Sequence, residues 1–279
     1  MFIRLLSLVK IEHTLFALPL ALSGAILAAR GLPDAKVVGL VALAFAGARS
    51  AAMAFNRIAD RGLDALNPRT AEREIPRGLV TVPQTWALVI VSVAVYFLAA
   101  WGLNELCLLL SPLALVVLLG YSYTKRFTAF CHVFLGVSLG MAPIAGWIAV
   151  TGHWSWTPAV LGLGVLFWVA GFDTIYACQD VDFDRKFGLY SLPAQIGPEK
   201  ALRVAALSHA VAFGLFLAAG FLADLGALFY VLSLVTAGLL YWEHRLVRPG
   251  DLTHLDLAFF KVNSMVSASL LVSVCVGLV

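Results

Sequence analysis

Charge is what this sequence has least of. Asp, Glu, Lys and Arg make up 13% of its 279 residues, against roughly 25% in a soluble domain, and 61% of the chain is hydrophobic, with mean hydropathy +0.93. That balance excludes a free-standing soluble enzyme. No basic patch is interleaved with aromatic residues, so a nucleic-acid partner is excluded as well. Cysteine is sparse: Cys107, Cys131, Cys178 and Cys275 stand singly in apolar surroundings with no CxxC pair, and they read as packing residues, not as a metal site or disulfide framework. His13, His132, His153, His209, His244 and His254 show no ligand spacing and read as interfacial or hydrogen-bonded side chains.

What is abundant is apolar sequence long enough to cross a hydrocarbon core, roughly 17 to 25 residues at a time. Nine such runs are expected near 11–30, 36–56, 83–101, 105–122, 131–150, 158–178, 200–222, 225–244 and 258–278. The chain is therefore expected to be an all-α integral membrane protein, one domain over residues 1–279. Glu12 and His13 interrupt the first run, which argues for a retained span over a cleaved signal peptide. Trp101, Trp147, Trp154, Trp156 and Trp242 fall near span ends, as an interfacial belt would require.

Lys and Arg are distributed unevenly. Arg4, Lys10, Arg57 to Arg77, Lys125, Arg126, Arg185, Lys186, Lys200, Arg203, Arg245, Arg248 and Lys261 fall at the N-terminus or beside the loops after spans two, four, six and eight. The opposite loops hold little beyond Arg30 and Lys36. The positive-inside rule then places the N-terminus and charged loops in the cytoplasm, in a bacterial inner membrane, with the C-terminus outside.

Charges of both signs crowd into "NRIADRGLDALNPRTAEREIPRG", residues 56–78. Asn56, Asp60 and Asp64 recur every four residues, so on a helix their oxygens face one space. Three hard oxygen donors suit Mg²⁺, which is usually held by one or two carboxylates, waters and substrate phosphates. Arg69 and Arg73 follow, again four apart, and guanidinium groups match phosphate oxygens bidentately. Pro68 and Pro76 argue against one continuous helix through the segment.

A second acidic set lies in "DTIYACQDVDFDRKFG", where Asp173, Tyr176, Asp180 and Asp184 share a helical face and Lys186 follows. The loop "YSYTKRF" adds Lys125 and Arg126 on the same side of the membrane. The two motifs look like related halves of a pseudo-symmetric arrangement. Two acidic helix ends trailed by basic residues form a pattern for binding a diphosphate through bridging metal ions. Asp173 lies inside an apolar run, where an Asp near the bilayer centre costs roughly 2.5 to 3.5 kcal/mol on insertion scales, so a functional role is the default reading. Arg49 sits seven residues before Asn56, on the same face, which suits either an approach to the diphosphate site or a structural pairing with an acid. Arg61, Glu72, Glu74, Arg77, Asp182, Arg185, Arg203, Arg245 and Arg248 read as topology and solvation charges. Phe16, Phe55, Phe167, Phe172 and Tyr176 could wall a lipid tunnel, and the ordinary packing reading is preferred for them.

The paired motifs resemble those of the UbiA-type intramembrane prenyltransferases: an Asn-Asp-x-x-Asp-x-x-x-Asp pattern with Arg-Thr-x-x-Arg after it, and a second Asp-rich motif about a hundred residues on. Here they read "NRIADRGLD" with "RTAER", then "DTIYACQDVDFD". The resemblance covers essentially the whole chain. It implies a bundle around a central cavity, with Mg²⁺ and a polyprenyl diphosphate at the cytoplasmic mouth and the prenyl tail toward membrane lipid. Carried over residue by residue, it makes Asn56, Asp60, Asp64, Asp180 and Asp184 metal or diphosphate residues. Arg69, Arg73, Lys125 and Lys186 then take phosphate oxygens, and Tyr121, Asp173 and Tyr176 line the reaction site. Arg57 departs from the pattern, standing where the commonest motif has its first aspartate. Within the family the first motif looks most like the 4-hydroxybenzoate polyprenyltransferase-like branch, part of which serves the futalosine route to menaquinone. The acceptor implied is thus 4-hydroxybenzoate or 1,4-dihydroxy-6-naphthoate, on the way to ubiquinone or menaquinone.

Other classes fit less well. A cation-coupled transporter would place its acidic site near the midplane on broken helices, whereas these motifs gather at one face. A purely structural subunit would need neither carboxylate set. A soluble prenyl diphosphate synthase is excluded by composition, and the spacing of lipid phosphoalcohol transferases is absent.

Overall fold

Where the apolar runs stand, long helices follow one another, since in lipid every backbone N–H and C=O must be satisfied within its own segment. The structure, a computed structural model, describes residues 2–279, except for the side chains at 2, 3, 6 and 11–16; Glu12, His13 and Phe16 fall among those exceptions. After a short α1 (Phe2–Leu8) come α2 (Ile11–Ala29), α3 (Ala35–Leu66), α4 (Val82–Leu103), α5 (Glu105–Thr124), α6 (Cys131–Thr151) and α7 (Trp156–Ala177). Two short helices, α8 (Val181–Phe187) and α9 (Leu192–Ile196), precede α10 (Pro198–Leu222), α11 (Ala227–Leu246) and α12 (Asn263–Gly277). Eight helical stretches among the described residues are long and apolar enough to cross a membrane, and the described apolar part of α2, Ala17–Ala29, adds a shorter ninth.

Local sequence sets the helix ends. Asp34 accepts from the Lys36 N–H to start α3, Thr81 and Gln84 form a reciprocal capping box at α4, and Asn104 caps α5. Gly152 (φ 71°) and Gly188 (φ 65°) close α6 and α8 in the left-handed region. Two spans depart from the expectation. Helix α3 runs ten residues past its expected end at 56, because Arg57, Ile58, Asp60 and Asp64 keep one face buried there, with both carboxylates paired to cations from other segments. After α7 the helix tightens to a 3₁₀ turn at Cys178–Asp180 before α8, so the second acidic motif is not carried on one regular helix. As Pro68 and Pro76 suggested, residues 67–80 form turns.

Helix α6 lies between α2 and α7 at close range. A side chain at Gly146 would run into the Ala21 carbonyl, and one at Gly140 would lie 2.6 Å from the Gly162 carbonyl oxygen. Small residues of this kind allow membrane helices to pack backbone to backbone. By contrast α5 buries only Ser111, Ser122 and Thr124 and leaves Leu109 and Val116 outward.

A buried polar cluster ties α7, α10, α11 and α12 together. Trp168 Nε1 donates to Asn263 Oδ1 (2.8 Å), and Asn263 Nδ2 donates to Glu243 Oε1 (3.0 Å) and to the carbonyls of Ala258 and Phe259. Those carbonyls lie in a π-helical stretch, Leu257–Val262, where the regular ladder is interrupted, and Asn263 supplies the missing donor. His209 bridges the Trp168 carbonyl (3.1 Å) and His244 (2.9 Å). Trp101, Trp154, Trp156 and Trp242 are exposed as a belt requires, whereas Trp147 packs against the core.

Candidate active site

One cavity of about 720 Å³ joins the two acidic motifs to the apolar interior. At its charged end it is lined by Asn56, Asp60, Asp64, Arg69, Arg73, Lys125, Asp180 and Asp184; deeper in, Phe45, Leu103, Leu118, Leu139 and Ile148 make it apolar. Tyr121, Asp173 and Tyr176 line it between these ends.

The spacing on α3 explains the first cluster. Asn56 Nδ2 donates to Asp60 Oδ2 (3.2 Å), and Asp60, 2% exposed, receives Lys125 Nζ (2.6 Å) and Arg126 Nη2 (2.9 Å) from the end of α5. Arg126 also donates to the carbonyls of Ala59 and Ser122, so it clamps α3 to α5. One turn on, Arg73 Nη1 donates to Asp64 Oδ1 (2.7 Å), while Asp64 Oδ2 is buried without a partner. Thr70 anchors the intervening turn on the Asp64 carbonyl.

That turn reaches across to the second cluster. Arg69 holds Asp180 in a fork, Nε to Oδ1 (3.0 Å) and Nη2 to Oδ2 (2.7 Å), and its Nη1 donates to the Tyr176 hydroxyl (3.1 Å). Burial is the largest single influence and works against the Arg69 charge, but the hydrogen bonds to Asp180 together with the attraction of Asp180, Tyr176 and Asp64 exceed it and raise the guanidinium pKa. Asn67 Nδ2 adds a bond to Asp180 Oδ1 (3.0 Å), and Ser191 Oγ donates to Asp184 Oδ2 (2.5 Å). Each carboxylate cluster is thus matched by cations from another element. Among the described residues no three acidic, His or Cys side chains converge as a ready-made metal cage.

The remaining residues singled out in the sequence fall in three places. Arg49 lines the cavity about two helical turns from Asn56, its Nε buried without a partner. Lys186 is exposed and lines a shallow neighbouring groove with Asp182, Arg69 and Asp180, not the main cavity. Arg57, which departs from the family pattern, is 6% exposed, lines the cavity and keeps a buried, unpartnered Nε. The packing reading of the aromatics holds for Phe55, which packs against a core cluster away from the cavity, and for Phe172, a buried core residue that also borders the cavity; Tyr176 packs against the core and lines the cavity as well, whereas Phe167 is exposed on the outer face of α7. Asn67 and Ser191 carry no expectation from the sequence, and His132 reads there only as an interfacial or hydrogen-bonded side chain. Asn67 had a signal in its Asn-Pro turn; the other two act through contacts distant in sequence.

The fold and cavity define a multi-pass membrane protein with a charged mouth over an apolar chamber. The chain belongs to the UbiA prenyltransferase family, whose model matches residues 17–265, and it is a prenyltransferase. It is 32% identical over 241 residues to a 4-hydroxybenzoate octaprenyltransferase of Vibrio atlanticus (85% of this chain, 84% of that one), and 32% identical over 253 residues to one of Aromatoleum aromaticum (91% and 85%). Its fold matches a UbiA homologue from Aeropyrum pernix K1, solved in the apo form, with TM-score 0.86 and 37% identity over 96% of this chain and 98% of that one. A UbiA homologue from Archaeoglobus fulgidus, solved with GPP and Mg²⁺, shares the fold at TM-score 0.73 and 20% identity, over 97% and 99% of the two chains.

Proposed function

We propose that the chain transfers a polyprenyl group from a polyprenyl diphosphate to an aromatic quinone precursor, 4-hydroxybenzoate or 1,4-dihydroxy-6-naphthoate, across one domain spanning the chain. The observation that carries this reading is the continuity of the cavity. Paired carboxylates and guanidinium groups at one end suit a metal-bound diphosphate, and the apolar remainder suits an isoprenoid tail. The relatives' names and the ligands of the Archaeoglobus homologue agree with it.

The donor set fits Mg²⁺. All of its atoms are hard oxygens, and Asp64 Oδ2 is a buried acceptor awaiting a partner. Asn56, Asp60, Asp64, Asp180 and Asp184 would hold the metal, with diphosphate oxygens and water completing its shell. When bound, Mg²⁺ neutralises charge that develops on the leaving diphosphate.

The chain's own residues do the rest. Arg69, Arg73 and Lys125, which border the carboxylates, would take phosphate oxygens of the diphosphate, and Lys186 would meet them from the neighbouring groove. The allylic C–O bond breaks with its electrons leaving on the diphosphate, the ring carbon ortho to a hydroxyl forms the new C–C bond, and a ring proton is lost. Asp173, with Tyr121 and Tyr176 beside it, polarises the acceptor hydroxyl or takes the proton. The apolar walls exclude water that would capture the allylic cation as an alcohol. Arg49 and Arg57 have no ion-pair partner among the described residues, and Arg49 lies about two helical turns from Asn56. That separation favours the acceptor's carboxylate as its ligand over the diphosphate. The mouth faces the cytoplasm of a bacterial inner membrane, as the Lys and Arg bias indicates.

The test is turnover by purified protein in detergent with radiolabelled all-trans polyprenyl diphosphate, with and without Mg²⁺, offered each acceptor in parallel. Metal-dependent prenylation of one acceptor fixes the reaction and its pathway. No product with either acceptor refutes this assignment, and a D173N variant with full turnover removes Asp173 from the chemistry.

A further inference from the structure

Asp173 does not stand alone. Its Oδ2 lies 2.6 Å from His132 Nδ1, on the first turn of α6, and the imidazole is 4% exposed. The other ring nitrogen, Nε2, lies 3.2 Å from the backbone N of Leu192, the first residue of α9. A backbone N–H can only donate, so Nε2 accepts and the ring proton sits on Nδ1, directed at Asp173. The carboxylate is therefore held through one oxygen, and Oδ1 has no hydrogen-bond partner among the described residues. Asp173 lines the cavity with its side chain 23% exposed.

The Leu192 contact has its own meaning. Ser191, at the N-cap of α9, makes no side-chain cap because its hydroxyl goes to Asp184. His132 Nε2 thus serves a backbone donor at the start of α9, and the same imidazole joins Asp173 to the segment that carries Ser191 and steadies Asp184. Backbone bonds tie this segment to the other bank of the mouth, since Tyr190 N donates to the Lys125 carbonyl (2.7 Å).

We propose that His132 is a positioning residue of the transfer reaction: its Nδ1–H fixes the Asp173 carboxylate toward the aromatic acceptor, while Nε2 anchors that orientation to the loop bearing Ser191. The proposal rests on the function given above. The two jobs of the ring are separable, because an Asn side chain places its amide nitrogen where Nδ1 stands and a Gln places its amide oxygen where Nε2 stands.

The experiment uses the full chain in detergent, with each substrate varied in turn for wild type, H132A, H132N and H132Q. For H132A, kcat/KM for the acceptor is expected to fall about 10- to 100-fold, the range set by misplacing a catalytic group, while KM for the polyprenyl diphosphate moves less than about threefold. H132N is expected to recover most of the loss, and H132Q to stay with H132A. An undiminished H132A, or H132N as poor as H132A, overturns the proposal. In parallel, NMR of protein labelled with ¹⁵N-imidazole histidine is expected to show one Nδ1–H tautomer for His132, altered by D173N. An Nε2–H tautomer overturns the proposal whatever the turnover. Wild type that prenylates neither acceptor defeats the functional reading instead, and the tautomer then decides the role of His132 by itself.

Discussion

Among the described residues, the polar cluster at the mouth and the one between α7, α10, α11 and α12 are built on opposite principles. At the mouth, Asp60, Asp64 and Asp180 each meet a cation from another element, and the three carboxylates border the cavity together with Lys125, Arg73 and Arg69. Among α7, α10, α11 and α12, Glu243 is fully buried, held by the Asn263 amide, and borders no part of the cavity. The first arrangement can exchange partners when a ligand arrives; in the second, Glu243 Oε2 is buried without a hydrogen-bond partner, 3.7 Å from His209 Nδ1 and away from the cavity. Ionisable residues in a membrane span are functional by default, and this contrast shows the further condition: the group must face a space a ligand can enter.

Mutations can separate the two. The largest effect is expected at the mouth, where D64N or D180N should lower kcat/KM by about three orders of magnitude, close to 4 kcal/mol of transition-state stabilisation. Their thermal midpoints in detergent should stay within a few degrees of wild type. Chelation of Mg²⁺ should abolish turnover to the same degree and be reversed by adding it back. Next in size, N263A should strand Trp168 Nε1, Glu243 and two π-turn carbonyls and destabilise the fold by about 2 to 3 kcal/mol, read from unfolding in mixed detergent. The folded fraction of that variant should keep turnover within about tenfold. Then R69K should break the fork on Asp180 and raise KM for the diphosphate by about 10-fold, because an ammonium cannot reproduce bidentate contact. Smallest, E243Q should change stability by no more than about 1 kcal/mol, since its amide oxygen still accepts from Asn263. An E243Q variant as inactive as D180N would erase the distinction.

How much of this was legible in the sequence follows from the range of each interaction. Apolar run length located the long helices, because the bilayer imposes that length on every span. The four-residue spacing of Asn56, Asp60 and Asp64 was legible because the helix itself sets it. The end of α3 was not, since hydropathy falls at Asn56 while the buried face continues to Asp64. The 3₁₀ turn at Cys178–Asp180 and the π-helical stretch at Leu257–Val262 left no compositional mark. Each depends on what packs or bonds nearby, as Asn263 does. His132 was read as a hydrogen-bonded histidine, which it is, but its partner lies 41 residues away and its second contact 60. No local pattern encodes either.

The tight seating of α6 between α2 and α7, against the loosely covered α5, has a consequence for how such an enzyme could be diversified. Residues such as Gly140 and Gly146 leave no room for any larger residue, so randomising that side should return mainly misfolded protein. The α5 side, where Leu110, Leu113, Ala114 and Leu118 border the cavity, offers latitude in shape. A library confined there should yield folded catalysts whose products differ in isoprenoid length, placing the heritable variability of the chamber on one wall.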